Sequence, residues 1–120
     1  MAVASEVVQG LDVVVVRELG TVLVRPEGDL EAATSPRLAL VLATLLGDGC
    51  TAVVLDLVGL LSLDVAGAWL IGEASRLFRD QAGEIVVRSP RGPVRRALDA
   101  ADLAWLIETP RQARIAPVPG

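Results

Sequence analysis

Short apolar runs alternate along this chain with segments whose apolar residues recur every three or four positions. That alternation restricts the fold more than any other feature. Leu11 to Arg17 is rich in valine and ends at Glu18-Leu19-Gly20, and Thr21 to Arg25 resumes the pattern, so the two segments read as a hairpin. Pro26 cannot donate to a sheet ladder and is expected at a strand end or an edge. Leu38, Val41, Leu42, Leu45 and Leu46 then follow the spacing of one helix face. Thr34 or Ser35 is its candidate N-cap, Pro36 falls in the first turn, and Gly47-Asp48-Gly49 forms the stop. Ala52 to Leu57 and Glu84 to Arg88 are continuous apolar runs suited to buried strands. Between them Leu70, Ile71, Ala74, Leu77 and Phe78 mark a second helix, capped by Asp64 and ending near Gly83. Val94, Leu98 and Ala101 indicate a short third helix. The alternation of Leu103, Trp105 and Ile107 predicts a final extended segment with Trp105 in the core. The order β-β-α-β-α-β-α implies one α/β domain whose sheet is largely parallel, with the hairpin as an antiparallel edge.

Composition sets further bounds. The 120 residues suit a single domain over 1–120, with its core at about 11–107 and a proline-bearing tail at 110–120 that is expected to be mobile. The apolar fraction of 52% leaves apolar surface for a partner, a homodimer included. The chain has no His, no Tyr and one cysteine, Cys50. It therefore cannot build a Ser-His-Asp triad, a Cys-His pair, a His-ligated zinc site or a thiolate cluster. There is no Gly-x-x-x-x-Gly-Lys-Ser/Thr phosphate loop either. A noncatalytic protein without metal or cofactor is expected. A lone cysteine suits a reducing compartment, and Met1 to Glu6 lacks the basic start and apolar core of a signal peptide. The longest apolar stretches, such as Leu38 to Leu46, are too short to span a bilayer, so the expected location is cytoplasmic without membrane insertion. All eleven basic residues are arginine, and the net charge of −4 argues against a nucleic-acid binder. Arg88, Arg91, Arg95 and Arg96 form a local basic group that reads as a solvated face or a protein contact.

Two segments place acidic residues where a strand gives way to a helix: Gly28-Asp29-Leu30-Glu31-Ala32-Ala33-Thr34 and Leu61-Ser62-Leu63-Asp64-Val65-Ala66-Gly67. In a parallel sheet such loops gather at one end. Together they resemble motifs of the STAS domain, the fold shared by bacterial anti-sigma factor antagonists and the cytoplasmic tails of sulphate transporters. Gly28-Asp29-Leu30-Glu31-x-x-Thr34 is similar to the family's G-[ED]-L-D-x-x-[ST] segment. Val53 to Leu57 followed by Leu63-Asp64-x-x-Gly67 is similar to its third strand and D-S-[ST]-G loop. Ser89-Pro90 with Val94 to Leu98 resembles its S-P-x-V-x-x-x-L helix start, here with an inserted residue or two. The resemblance runs from about Leu11 to Leu106. It implies a mixed, largely parallel sheet of four or five strands with helices packed mainly on one face.

The resemblance further implies partner switching. Antagonists of this family bind an anti-sigma factor that is also a serine kinase, and phosphorylation of the second hydroxyl residue in the D-S-[ST]-G loop ends the binding. Here Val65 and Ala66 occupy the two hydroxyl positions, so the implied phosphoacceptor is Ala66 and no phosphorylation is expected. Ser62 lies before Asp64 and is expected to make a local turn hydrogen bond. Glu31 replaces the usual Asp. The implied partner-binding residues are Asp29, Glu31, Thr34, Asp64, Val65, Ala66 and Gly67. Helix phase adds Trp69 and Glu73, because with Leu70, Ile71, Ala74, Leu77 and Phe78 on the sheet, Trp69, Gly72, Glu73, Arg76 and Arg79 project outward. Stand-alone STAS subunits also attach to the ATPase of bacterial lipid-transport complexes, a second reading that fits the same fold.

Overall fold

The computed structural model describes residues 10–108, so the N-terminal segment and the tail at 110–120 lie outside it. Its elements are β1 (Leu11–Glu18), β2 (Thr21–Leu30), α1 (Ser35–Gly47), β3 (Ala52–Asp56), β4 (Leu60–Leu63), α2 (Val65–Asp80), β5 (Glu84–Arg88) and α3 (Gly92–Ala100), closed by a 3-10 turn at Ala104–Leu106.

The hairpin forms as expected: β1 and β2 are antiparallel from Leu11↔Gly28 to Glu18↔Thr21, turning at Gly20 with φ of 72°. Strand β2 continues past Pro26 and serves two parallel partners in succession, β3 through Val22–Val24 and β4 through Gly28–Leu30. Pro26 sits in the interval between those partners, which is how an interior strand tolerates a residue without an amide hydrogen. The switch occurs at Gly28, where φ is 116° and a Cβ would collide with the Gly10 carbonyl oxygen. The resulting order is β1-β2-β3-β5, with β4 on the far half of β2.

Burial alternates along the parallel strands. Val22, Val24, Val53, Leu55, Ile85 and Val87 are buried, while Leu23, Val54 and Val86 between them are half-exposed. The helices therefore cover one face. Leu38, Leu42 and Leu45 of α1, Ile71, Ala74 and Phe78 of α2, and Val94 and Leu98 of α3 complete the core with them. At roughly 25 cal/mol per Å² of buried apolar area, this common cluster is the main stabilising contribution.

Further sequence expectations need correction. Leu60–Leu63 is a strand: it has only four residues, too few for its period to stand out beside Gly59. The final segment is a 3-10 turn whose three-residue period buries Leu106 and leaves Trp105 56% exposed. Trp105 is outside the core, with the Arg79 guanidinium 4.8 Å above its ring, a cation–π contact at the surface. In α2 the buried stripe is Gly67, Ala68, Ile71, Ala74, Ser75 and Phe78, so Leu70 is half-buried and Leu77 exposed. Small residues allow that flank to approach the sheet closely, whereas hydropathy alone favours the leucines. Gly72 does not project freely either, since its Cβ position is 3.4 Å from Leu103.

Candidate partner-binding surface

The C-terminal ends of β2 and β4 lie side by side, with Asp29 opposite Ser62 and Leu30 opposite Leu63. This register brings the two acidic segments into contact and fixes them with polar bonds. The Ser62 hydroxyl donates to Asp29 Oδ1 at 2.7 Å, a link between strands rather than a local turn. Asp64 is the N-cap of α2: its Oδ1 accepts from the Gly67 amide at 2.8 Å, satisfying one of the helix's free donors. Its Oδ2 accepts from the Ala32 amide at 3.1 Å, and its own amide donates to the Leu30 carbonyl at 3.2 Å. One carboxylate thus holds both loops.

Thr34 works from underneath. It is 3% exposed, and its hydroxyl donates to the Asp29 carbonyl at 2.7 Å while accepting from the Glu31 amide at 2.9 Å. Although it occupies the N-cap of α1, it makes no side-chain cap bond there. Its burial corrects its expected place on the contact surface, because its hydroxyl is consumed in shaping the loop. Gly67 is similarly internal: a Cβ there would come within 2.7 Å of the Leu30 carbonyl oxygen and 2.8 Å of Leu63. These contacts account for glycine at a helical position where the backbone needs no special φ.

Of the candidate residues, Glu31, Asp64, Val65 and Trp69 face solvent, the last two 86% and 66% exposed. Ala66 is half-buried in the first turn of α2. Glu73, one turn beyond Trp69, is half-buried and accepts from Arg76 at 2.8 Å, and Arg76 also reaches Asp80 at 3.2 Å. The hydrogen bond and charge of Glu73 raise the Arg76 pKa. Beside Trp69 runs a groove between α1 and α2 of about 700 Å³, lined by Leu42, Leu46, Leu70, Leu77 and Phe78 among others. This groove was not evident in the sequence. Its signal was the seven-residue spacing of Leu70 and Leu77, which defines a flank beside the buried stripe.

The basic group divides in two. Arg88 pairs with Glu108 at 3.1 Å, and Arg91 donates from Nε to the Val58 carbonyl at 2.9 Å, so both brace neighbouring turns. Arg95 and Arg96 remain exposed. Farther along the sheet, Asp56 accepts from Arg25 at 3.2 Å and from the Val58 amide at 3.1 Å. Among the described residues, no group of three or more His, Cys, Asp or Glu could hold a metal, and no helix is long and apolar enough to cross a membrane.

A five-stranded mixed sheet, helices on one face and two latched strand-to-helix loops at one end define the α/β fold of the anti-sigma factor antagonists. The STAS domain sequence profile matches residues 12–115, and the chain belongs to that family. The solved structure of an anti-sigma factor antagonist from Mycobacterium paratuberculosis is similar with a TM-score of 0.75 and 22% identity, over 90% of this chain and 94% of that one. The anti-sigma factor antagonist SpoIIAA in its unphosphorylated form gives 0.72 at 22% identity, over 92% and 99%. The Bacillus cell fate determinant SpoIIAA in its phosphorylated form gives 0.65 at 19%, over 87% and 96%. No curated protein matches the sequence.

Proposed function

We propose that this STAS domain is a noncatalytic regulator of the anti-sigma factor antagonist type, binding a serine-kinase anti-sigma factor in the cytoplasm. Its contact surface comprises Asp29, Glu31, Asp64, Val65, Ala66, Trp69 and Glu73, with Thr34 and Gly67 shaping it from beneath. The observation that carries the reading is the latched pair of loops ending in an exposed Val65 and Trp69, with alanine where the family places its phosphoacceptor. A phosphate at residue 66 would bring roughly −1.5 to −2 charges beside Glu31 and Asp64 and into a surface that must be desolvated on docking. Without a hydroxyl that repulsion never arises. The protein therefore holds its binding-competent state constitutively, and its partner's kinase activity does not release it.

The test is to mix the purified protein with serine-kinase anti-sigma factors, with and without ATP, and to follow complex formation by calorimetry and covalent modification by mass spectrometry. The expected result is one affinity under both conditions and no phosphate adduct. Ala66→Ser should acquire phosphate and lose affinity in ATP. Stoichiometric phosphate on the unmodified sequence, or release by ATP, would overturn the constitutive reading. Binding to a transporter ATPase and to no anti-sigma factor would favour the transport-accessory reading.

A further inference from the structure

The two outer edges of the main sheet are treated differently. At the β5 edge, Ile107 bridges to Val87 in parallel, and the Glu108 amide donates to the Val87 carbonyl at 2.6 Å, so the chain covers its own strand. At the other edge, among the described residues, β1 has β2 on one side and no strand on the other. Natural edge strands are blunted by lysine, proline, bulges or inward charges. The centre of β1 is Val13-Val14-Val15-Val16, with none of these, and its charges stand only at Asp12, Arg17 and Glu18.

The hairpin determines which backbone groups are free. Glu18↔Thr21 closes a two-residue turn and exchanges both hydrogen bonds, so Val16, Val14 and Asp12 direct their amides and carbonyls to β2. Arg17, Val15, Val13 and Leu11 direct theirs outward. Around this edge the side chains are apolar: Val14, Val15 and Val16 are each more than a third exposed. Leu40 of α1, 69% exposed, stands with Val41 and Leu45 over Val15 and Arg17 in a shallow groove.

We propose that β1 pairs with β1 of a second copy of this chain, antiparallel about a two-fold axis at Val14, to form one continuous sheet across a homodimer. In that register Val13 lies opposite Val15 of the second copy, Leu11 opposite Arg17, and Asp12 opposite Val16. No like charges meet. Moving the axis to Val15 would set Asp12 against Glu18, and moving it to Val13 would run Arg17 and Glu18 past the start of the opposing strand. The same two-fold brings the α1 helices alongside each other over the junction, with both Leu40 side chains covering the valine pairs. A second copy fits because the edge is self-complementary: the outward amides of Val13 and Val15 meet the outward carbonyls of Val15 and Val13. Asp29 donates its amide to Gly10 at the beginning of β1, so the two latched loop pairs would point to opposite ends of the dimer, each open to a partner. The inference does not rest on the identity of that partner.

Sedimentation velocity and hydrogen exchange on the full chain test it, with Val15→Lys, Leu40→Glu and Trp69→Ala as variants. The expected result is a dimer at micromolar concentration whose Val13, Val15 and Arg17 amides are protected. Leu40→Glu lies on an exposed helix surface and keeps the fold, so it guards against loss of folding in Val15→Lys. Both should weaken the dimer by at least about tenfold, through charge at a desolvated junction, and Leu40→Glu should expose those three amides. Trp69→Ala should leave the dimer intact. A monomeric wild type, a dimer indifferent to both edge substitutions, or a dimer lost with Trp69→Ala would overturn the proposal.

Discussion

The latched loops and the groove beside them adjoin on the surface, yet they are built on opposite physical terms. Asp29, Ser62, Asp64 and Thr34 satisfy one another and the local backbone, leaving little choice of conformation. In the groove, Trp69 and Leu77 keep much of their apolar surface in water, and among the described residues no polar bond fixes the indole. The difference separates two tasks. Hydrogen bonds specify the shape of the surface, whereas exposed apolar area holds the free energy that a partner gains by covering it.

If that division is right, substitutions among the loops should damage folding, and those in the groove should damage binding alone. The severest loop test is Gly67→Val, which forces side-chain atoms against the Leu30 carbonyl and Leu63. Backbone cannot yield there without parting β2 from α2. Urea unfolding should show a loss of about 3 kcal/mol or more. Asp64→Ala comes next, since it removes the α2 cap and the tie to Ala32 together. The expected loss is about 2 kcal/mol, the upper end for a cap, with the Ala32 amide exchanging faster. Ser62→Ala leaves Asp29 Oδ1 without its donor in a partly buried position and should cost about 1 kcal/mol. A fully stable Asp64→Ala variant would refute the claim that polar latching sets the loop shape.

What the sequence disclosed follows the same division. Strand and helix order was legible because hydropathy period reports burial directly, as in Leu38, Leu42 and Leu45. The N-cap role of Asp64 was legible from its place before an apolar period, and its bond to Gly67 bears this out. Its second bond, to Ala32, was not, because it depends on the register of β4 on β2, and β4 was too short to reveal itself. The same hidden register conceals the Ser62–Asp29 link. Thr34 shows a further limit: its residue type suits both a cap and a surface contact, and only the fold of the preceding loop turns its hydroxyl inward. Trp69 and Trp105 expose the reliance on period. Trp69 lay in a long helix and its outward direction follows from the phase. Trp105 lay in three alternating residues, which fit a strand and a 3-10 turn equally well.

The smallest effect on folding is expected at Trp69, and it is the most informative. With 66% of its surface exposed in the free protein, truncation to alanine should change unfolding free energy by no more than about 0.5 kcal/mol. An exposed tryptophan bordering an apolar groove is nevertheless the kind of residue that dominates a protein interface, where its removal costs about 2 kcal/mol or more of binding. Trp69→Ala should therefore fold with an unaltered urea midpoint and bind its partner at least roughly thirtyfold more weakly. Glu73→Ala, which leaves Arg76 paired with Asp80 alone, should have a much smaller effect on binding, because an exposed pair is worth at most about 1 kcal/mol. Equal losses from the two substitutions would mean that charge rather than apolar burial governs docking. A Trp69→Ala protein that loses stability in step with affinity would show that the indole supports the fold, and the separation between a latched scaffold and an apolar contact would fail.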